Sequence, residues 1–166
     1  MGETYIKTYM LSFNVRDIFV TALPIIAVFG TGRVFPMPRE TRETRAPFQP
    51  PSWVFGPMWT YLTLALGIVT ANVLRSINGK QPLVRRCQPY ILAFYFFLVA
   101  CLVGWLILYH YSRTTECFWL LVVTTYLAIG YMVYLARCRT KASWVAALMP
   151  LPFWLVLATA LNGHQL

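Results

Sequence analysis

Residues 50–74 read PPSWVFGPMWTYLTLALGIVTANVL, and none of them carries a charge. A helix needs about 20 mostly apolar residues to cross the hydrocarbon core of a bilayer, and 52–74 supplies them. Working outward, residues 87–112, 117–136 and 142–161 are also uncharged and equally long. A fifth stretch, 18–32, is short. It reaches spanning length only by extending back through Met10–Phe13 and on through Val34–Phe35, which leaves Arg16, Asp17 and Arg33 near its ends. There they are expected to snorkel to the headgroups. No small-residue cleavage pattern follows it, so it reads as an anchor rather than a removed signal peptide.

Composition agrees. Apolar residues make up 58 % of the chain and charged residues 11 %, whereas soluble proteins carry about 25 % charged residues. Most of the surface must therefore face lipid. The expected fold is an all-α membrane protein, a five-transmembrane-helix bundle in a single domain over 1–166, with spans at about 13–35, 52–74, 88–111, 117–136 and 142–162. The third and fourth connections are short, so helices three, four and five must be antiparallel neighbours.

The net charge of +9 fits orientation in the membrane better than nucleic-acid binding. Five spans put the N-terminus and the second and fourth loops on one side, with nine of the 14 Lys and Arg residues. The positive-inside rule makes that side cytoplasmic or matrix. Cys87, Cys101, Cys117 and Cys138 form no CxxC pair and have no His at metal-ligand spacing, so no metal is expected. His110 and His164 read as interfacial polar residues.

The first connection is unusual. Pro36, Pro38, Pro47, Pro50 and Pro51 punctuate it, and each ring fixes its own φ and restricts its predecessor. A stiff loop of this length is often a binding element. Its end, Phe48, Gln49, Pro50 and Pro51, is the expected lid. The following helix carries Trp53, Pro57 and Tyr61 on one face and Phe55 and Trp59 on another. Pro57 cannot donate to the Trp53 carbonyl, so the helix entrance is expected to kink or open.

In the last span, Trp154, Ala158 and Leu161/Asn162 share a face, an aromatic shelf with a gap beside it. Pro150 and Pro152 deprive the Ala146 and Leu148 carbonyls of their helical donors and should loosen the start of this helix. Asn162 should face protein, because an amide is costly in hydrocarbon.

These two segments resemble the TspO/MBR family. Pro50, Pro51, Trp53, Phe55, Pro57 and Trp59 match the Pro-Pro-x-Trp-x-(Phe/Leu)-x-Pro-x-Trp block at the entrance of that family's second helix. Pro150, Trp154, Ala158, Thr159, Leu161 and Asn162 match its fifth-helix pattern. The resemblance implies an apolar ligand, such as a porphyrin, haem or sterol, held inside the bundle beneath the first loop. The candidate ligand-binding residues are Trp53, Phe55, Pro57, Trp105, Trp154, Ala158, Leu161 and Asn162. No cofactor is required for this.

The chain departs from the family pattern at three places. Leu102 stands where the third helix usually has Asn, 118–123 lacks an acidic residue, and Arg45-Ala46 replaces Lys-Pro. The polar part of the pocket thus looks altered. A sterol-like pattern, Leu127, Tyr131 and Arg137, is also present.

No nucleophile–base set, buried carboxylate pair or phosphate loop appears, so an enzyme is not expected. Two functions remain. One is binding, with transport or sensing, of an apolar small molecule. The other is a structural accessory role in a larger mitochondrial membrane complex, to which Tyr90, Phe94, Tyr95, Phe96 and Phe97 would offer an exposed aromatic run. Expected partners are membrane lipid, an apolar ligand and a second copy or larger complex. A mitochondrial membrane is favoured over a bacterial or other organelle membrane.

Overall fold

A computed structural model describes residues 15–36, 46–78, 87–138 and 140–166. Most of the first loop, and the turn expected at Asn78-Gly79, lie outside the described residues in whole or in part. Six helices follow in order: α1 (Val15–Val34), α2 (Ser52–Asn78), α3 (Gln88–His110), α4 (Thr114–Arg137), α5 (Ala142–Ala147) and α6 (Pro150–Gly163). The last two are parts of one span, Ala142–Gly163, so five segments are long and apolar enough to cross a membrane. The chain is an integral, multi-pass membrane protein in contact with lipid.

Packing closes the spans into a ring. The α1 helix lies against α2 and α3, α3 against α4, α4 against the last span, and α5 against α2, while α2 also touches α3. Leu66, Val73 and Leu74 of α2, Ile91, Tyr95 and Leu98 of α3, and Leu121, Ala128, Tyr131 and Leu135 of α4 fill the interior. Tyr131 meets Thr70 through a 2.7 Å hydrogen bond between hydroxyls. Tyr131, the centre of the sterol-like pattern, is fully buried, while Leu127 is half-buried and Arg137 exposed.

At two of the places where prolines interrupt the backbone ladder, tyrosines repair it. Pro24 has no N–H for the Val20 carbonyl one turn earlier, and Tyr95 of α3 donates its hydroxyl to that oxygen. Between α5 and α6, the amides of Leu148, Met149 and Leu151 bond three residues back, to Val145, Ala146 and Leu148. The Ala147 carbonyl is thereby passed over, and Tyr61 of α2 donates to it at 3.1 Å. In lipid every backbone polar group needs such a partner. The expected loosening of the last helix is therefore a discrete break at Leu148–Met149. By contrast, α2 continues as one helix through Pro57.

Asp17 does not snorkel. It is 3 % exposed and accepts from Arg75 Nε at 3.1 Å and Nη2 at 2.9 Å, with Arg16 Nη2 at 3.3 Å. The ion pair ties the first turn of α1 to the last turn of α2. Each charge also opposes the helix-dipole charge at its own end.

Candidate functional site

Where α2 begins and α3 and α6 end, the aromatic side chains converge. Phe55 meets Trp154 edge-on at 5.3 Å between ring centroids. Trp59 stacks on Trp105 at 5.6 Å and 25°, and stands perpendicular to Trp154 at 6.4 Å. Tyr109 continues the row, 5.8 Å from Trp105. These rings, with Gln49, Ala158, Leu161, Asn162 and Gln165, enclose a cavity of about 50 Å³.

Helical spacing explains the convergence. Phe55 and Trp59 are one turn apart on α2, Trp105 and Tyr109 on α3, and Trp154, Ala158 and Asn162 form a stripe on α6. Ala158, the smallest residue of that stripe, borders the open space of the cavity.

The polar groups of the lining fall into two sets. Gln165 donates to the Tyr109 hydroxyl at 3.4 Å. Asn162 donates through Nδ2 to the Ala158 carbonyl at 2.9 Å, which fixes the amide orientation, since a carbonyl can only accept. Its Oδ1 is then left without a partner, as is Trp105 Nε1, and both atoms are buried. A buried donor or acceptor left unmatched costs about 1–3 kcal/mol. One unmatched donor and one unmatched acceptor thus belong to residues that line a single cavity.

The described end of the first loop reaches this region, where Gln49 is part of the cavity lining. Ala46 is buried and accepts from the Gln49 amide at 3.1 Å. Phe48 lies edge-on to His164 at 6.2 Å, beyond the end of α6. Pro50 and Pro51 lead into α2, whose first turn is closed by the Val54 amide donating to the Pro51 carbonyl at 2.9 Å. The other end of the loop is held by His110, whose Nδ1 lies 2.8 Å from the Pro36 carbonyl and whose ring meets Phe35 at 5.5 Å.

The structure brings together Phe55, Trp105, Trp154, Ala158, Leu161 and Asn162 of the residues named from the sequence, and adds Trp59, Tyr109 and Gln165. It does not bring Trp53 or Pro57 there. Trp53 is 74 % exposed, and with Val54, Pro57, Met58, Tyr61 and Pro150 it lines an outward groove of about 350 Å³. The expectation that Trp53 and Trp154 share a cavity is corrected accordingly: α2 turns its Phe55/Trp59 face inward and its Trp53/Pro57 face outward. The signal for Trp59 was present in the i, i+4 pairing with Phe55. Tyr109 could have been found one turn beyond Trp105.

The aromatic run on α3 is also divided. Tyr95 is buried in the core, Phe94 is half-buried, and Tyr90, Phe96 and Phe97 are exposed. A second outward groove, about 450 Å³, lies between α4 and the last span and is lined by apolar residues including Ile129, Met132, Met149 and Phe153.

The chain has no match among curated proteins. The family model of the TspO/MBR family matches residues 18–165, nearly the whole chain, and covers both the α2 entrance and the α6 stripe. On that match and the five membrane-spanning segments, the chain belongs to the TspO/MBR family.

Proposed function

We propose that the protein binds a flat, largely apolar small molecule in the cavity between α2, α3 and α6, with the end of the first loop as its cover. The observation that carries this reading is the pair of unmatched buried atoms, Trp105 Nε1 and Asn162 Oδ1, within an aromatic wall. A ligand offering an acceptor to the indole and a donor to the amide would satisfy both, and the ring faces would supply apolar contact. A porphyrin, with its pyrrole N–H groups and carboxylates on a flat macrocycle, is of this chemical class. The reading is therefore binding, in the service of transport or sensing.

Size adds a requirement. Small-molecule sites usually hold about 300–1,000 Å³, and the cavity holds about 50 Å³. A macrocycle therefore enters only if the Trp59–Trp105 stack opens and the loop end lifts. The test is saturable quenching of tryptophan fluorescence by protoporphyrin IX in detergent. Trp105→Phe keeps a ring but loses the donor and should weaken binding about 10-fold, as expected for a hydrogen bond worth about 1.4 kcal/mol. Trp154→Ala should weaken it further, while Trp53→Ala should leave the affinity unchanged. Quenching that never saturates, or that is indifferent to Trp105 and Trp154, would overturn the proposal.

The closed cavity favours one second reading, a structural accessory subunit in which the bundle persists and the ligand has been lost. Exposed Tyr90, Phe96 and Phe97 would then face a protein partner. Migration with a large assembly after mild solubilisation, together with no porphyrin binding, would select it.

A further inference from the structure

At the end of the bundle away from the cavity, α3 and α4 run antiparallel in a register that their aromatic rings define. Phe94 meets Tyr131 at 6.4 Å and stacks on Tyr134 at 5.8 Å. Tyr90, one turn nearer the helix end, meets Tyr134 at 6.1 Å. One further turn outward on each helix stand Cys87, which caps the start of α3, and Cys138, which caps the end of α4. The register therefore sets the two cysteines at the same level of the antiparallel pair, one turn beyond the Tyr90–Tyr134 contact. Both thiols are free, Cys87 half-buried and Cys138 buried.

We propose that Cys87 and Cys138 form a reversible dithiol–disulfide pair, a redox modification site that staples α3 to α4 and takes a hydroperoxide as its oxidant. Both cysteines stand just outside the spans, on the side that carries Arg75 and Arg137. The positive-inside rule puts that side in a reducing compartment, where the dithiol is the resting form.

The two thiols divide the work by environment. Burial and the adjacent Cys87 push the Cys138 thiol up to about 12, so it is a poor first nucleophile. Cys87, the more accessible of the two, attacks as the thiolate. Its sulfur bonds to one peroxide oxygen, the O–O bond breaks, and the departing hydroxide takes up a proton as water. The Cys138 sulfur then attacks the resulting sulfenic sulfur, the S–O bond breaks, and a second water leaves with the Cys138 proton. Two electrons pass from the sulfurs to the peroxide.

The other thiols are poorly placed to compete. Cys101 and Cys117 are buried within α3 and α4, and the Cys117 thiol donates to the Trp105 carbonyl at 3.8 Å.

The test uses the full chain in detergent, treated with hydrogen peroxide, alkylated after denaturation and digested without reductant. The expected product is an intramolecular link between the Cys87 and Cys138 peptides, with Cys101 and Cys117 still alkylated, and dithiothreitol restores all thiols. In Cys138→Ser, Cys87 should stop at the sulfenic acid and be trapped by dimedone. Four alkylatable thiols after peroxide, over-oxidation of Cys87 with Cys138 still free, or links only between two chains would each overturn the proposal. Mapping the unsubstituted chain decides the matter even if the variant does not fold.

Discussion

At the scale of single residues, the telling side chains are those that complete or fail to complete a hydrogen bond in a medium without water. The Tyr95 hydroxyl serves the Val20 carbonyl because Pro24 cannot. Removing that hydroxyl strands a buried acceptor, so Tyr95→Phe should lower stability by about 1 kcal/mol, read as a fall in Tm in detergent. The cause can be isolated. Pro24→Ala returns an amide donor to Val20, and in that background Tyr95→Phe should cost far less, a coupling that a double-mutant cycle measures. An equal loss in both backgrounds would mean that Tyr95 acts through packing alone. Trp105 Nε1 and Asn162 Oδ1 are the opposite case: both are buried without a partner, and the proposed binding rests on them.

At the scale of elements, the close approach of α1 and α2 rests on one missing side chain. A methyl group added at Gly67 would lie 2.9 Å from the Thr21 Cα and closer still to its carbonyl oxygen. Backbone on backbone cannot yield as a flexible side chain would. Gly67→Ala should therefore cost about 1–3 kcal/mol, seen as a lower Tm. Gly30→Ala is the control, because nothing lies within 4 Å of a Cβ there. It should be neutral or stabilising by about 0.5–1 kcal/mol, the ordinary gain from replacing a helical glycine. The Asp17–Arg75 pair lies one turn earlier on α1, so α1, the least buried span, is held by both contacts in its first two turns.

For the molecule as a whole, the larger share of the positive charge falls at the end away from the cavity. The aromatic cavity lies where α2 starts and α3 and α6 finish, beneath the first loop. Arg75 and Arg137 stand at the other end, in the last turns of α2 and α4. Nine of the 14 cationic residues fall on that side by sequence, and we expect it to face the cytoplasm or matrix. A membrane-impermeant maleimide added from that side should label Lys80→Cys and spare Ser112→Cys, in a chain with Cys87 replaced by serine. The reverse pattern would invert the orientation and place the cavity mouth on the cytoplasmic side.

Five spans, their order and the antiparallel neighbours were legible because uncharged runs of spanning length report directly on the solvent they meet. The α6 stripe was legible too: Trp154, Ala158 and Asn162 recur at helical spacing, and an amide in an apolar span has to turn toward protein. The sequence also separated the two faces of the α2 entrance, Trp53/Pro57 from Phe55/Trp59. Which face turned inward was decided only in the tertiary structure, because in lipid both faces are apolar and hydrophobicity does not distinguish inside from outside. The choice fell to packing: Phe55 and Trp59 meet Trp154 edge-on, Trp105 presents a face for Trp59 to stack on, and Tyr61 reaches the Ala147 carbonyl that the break before Pro150 left exposed. The burial of Asp17 followed in the same way, since its partner lies 58 residues away along the chain and only the folded bundle brings Arg75 to it.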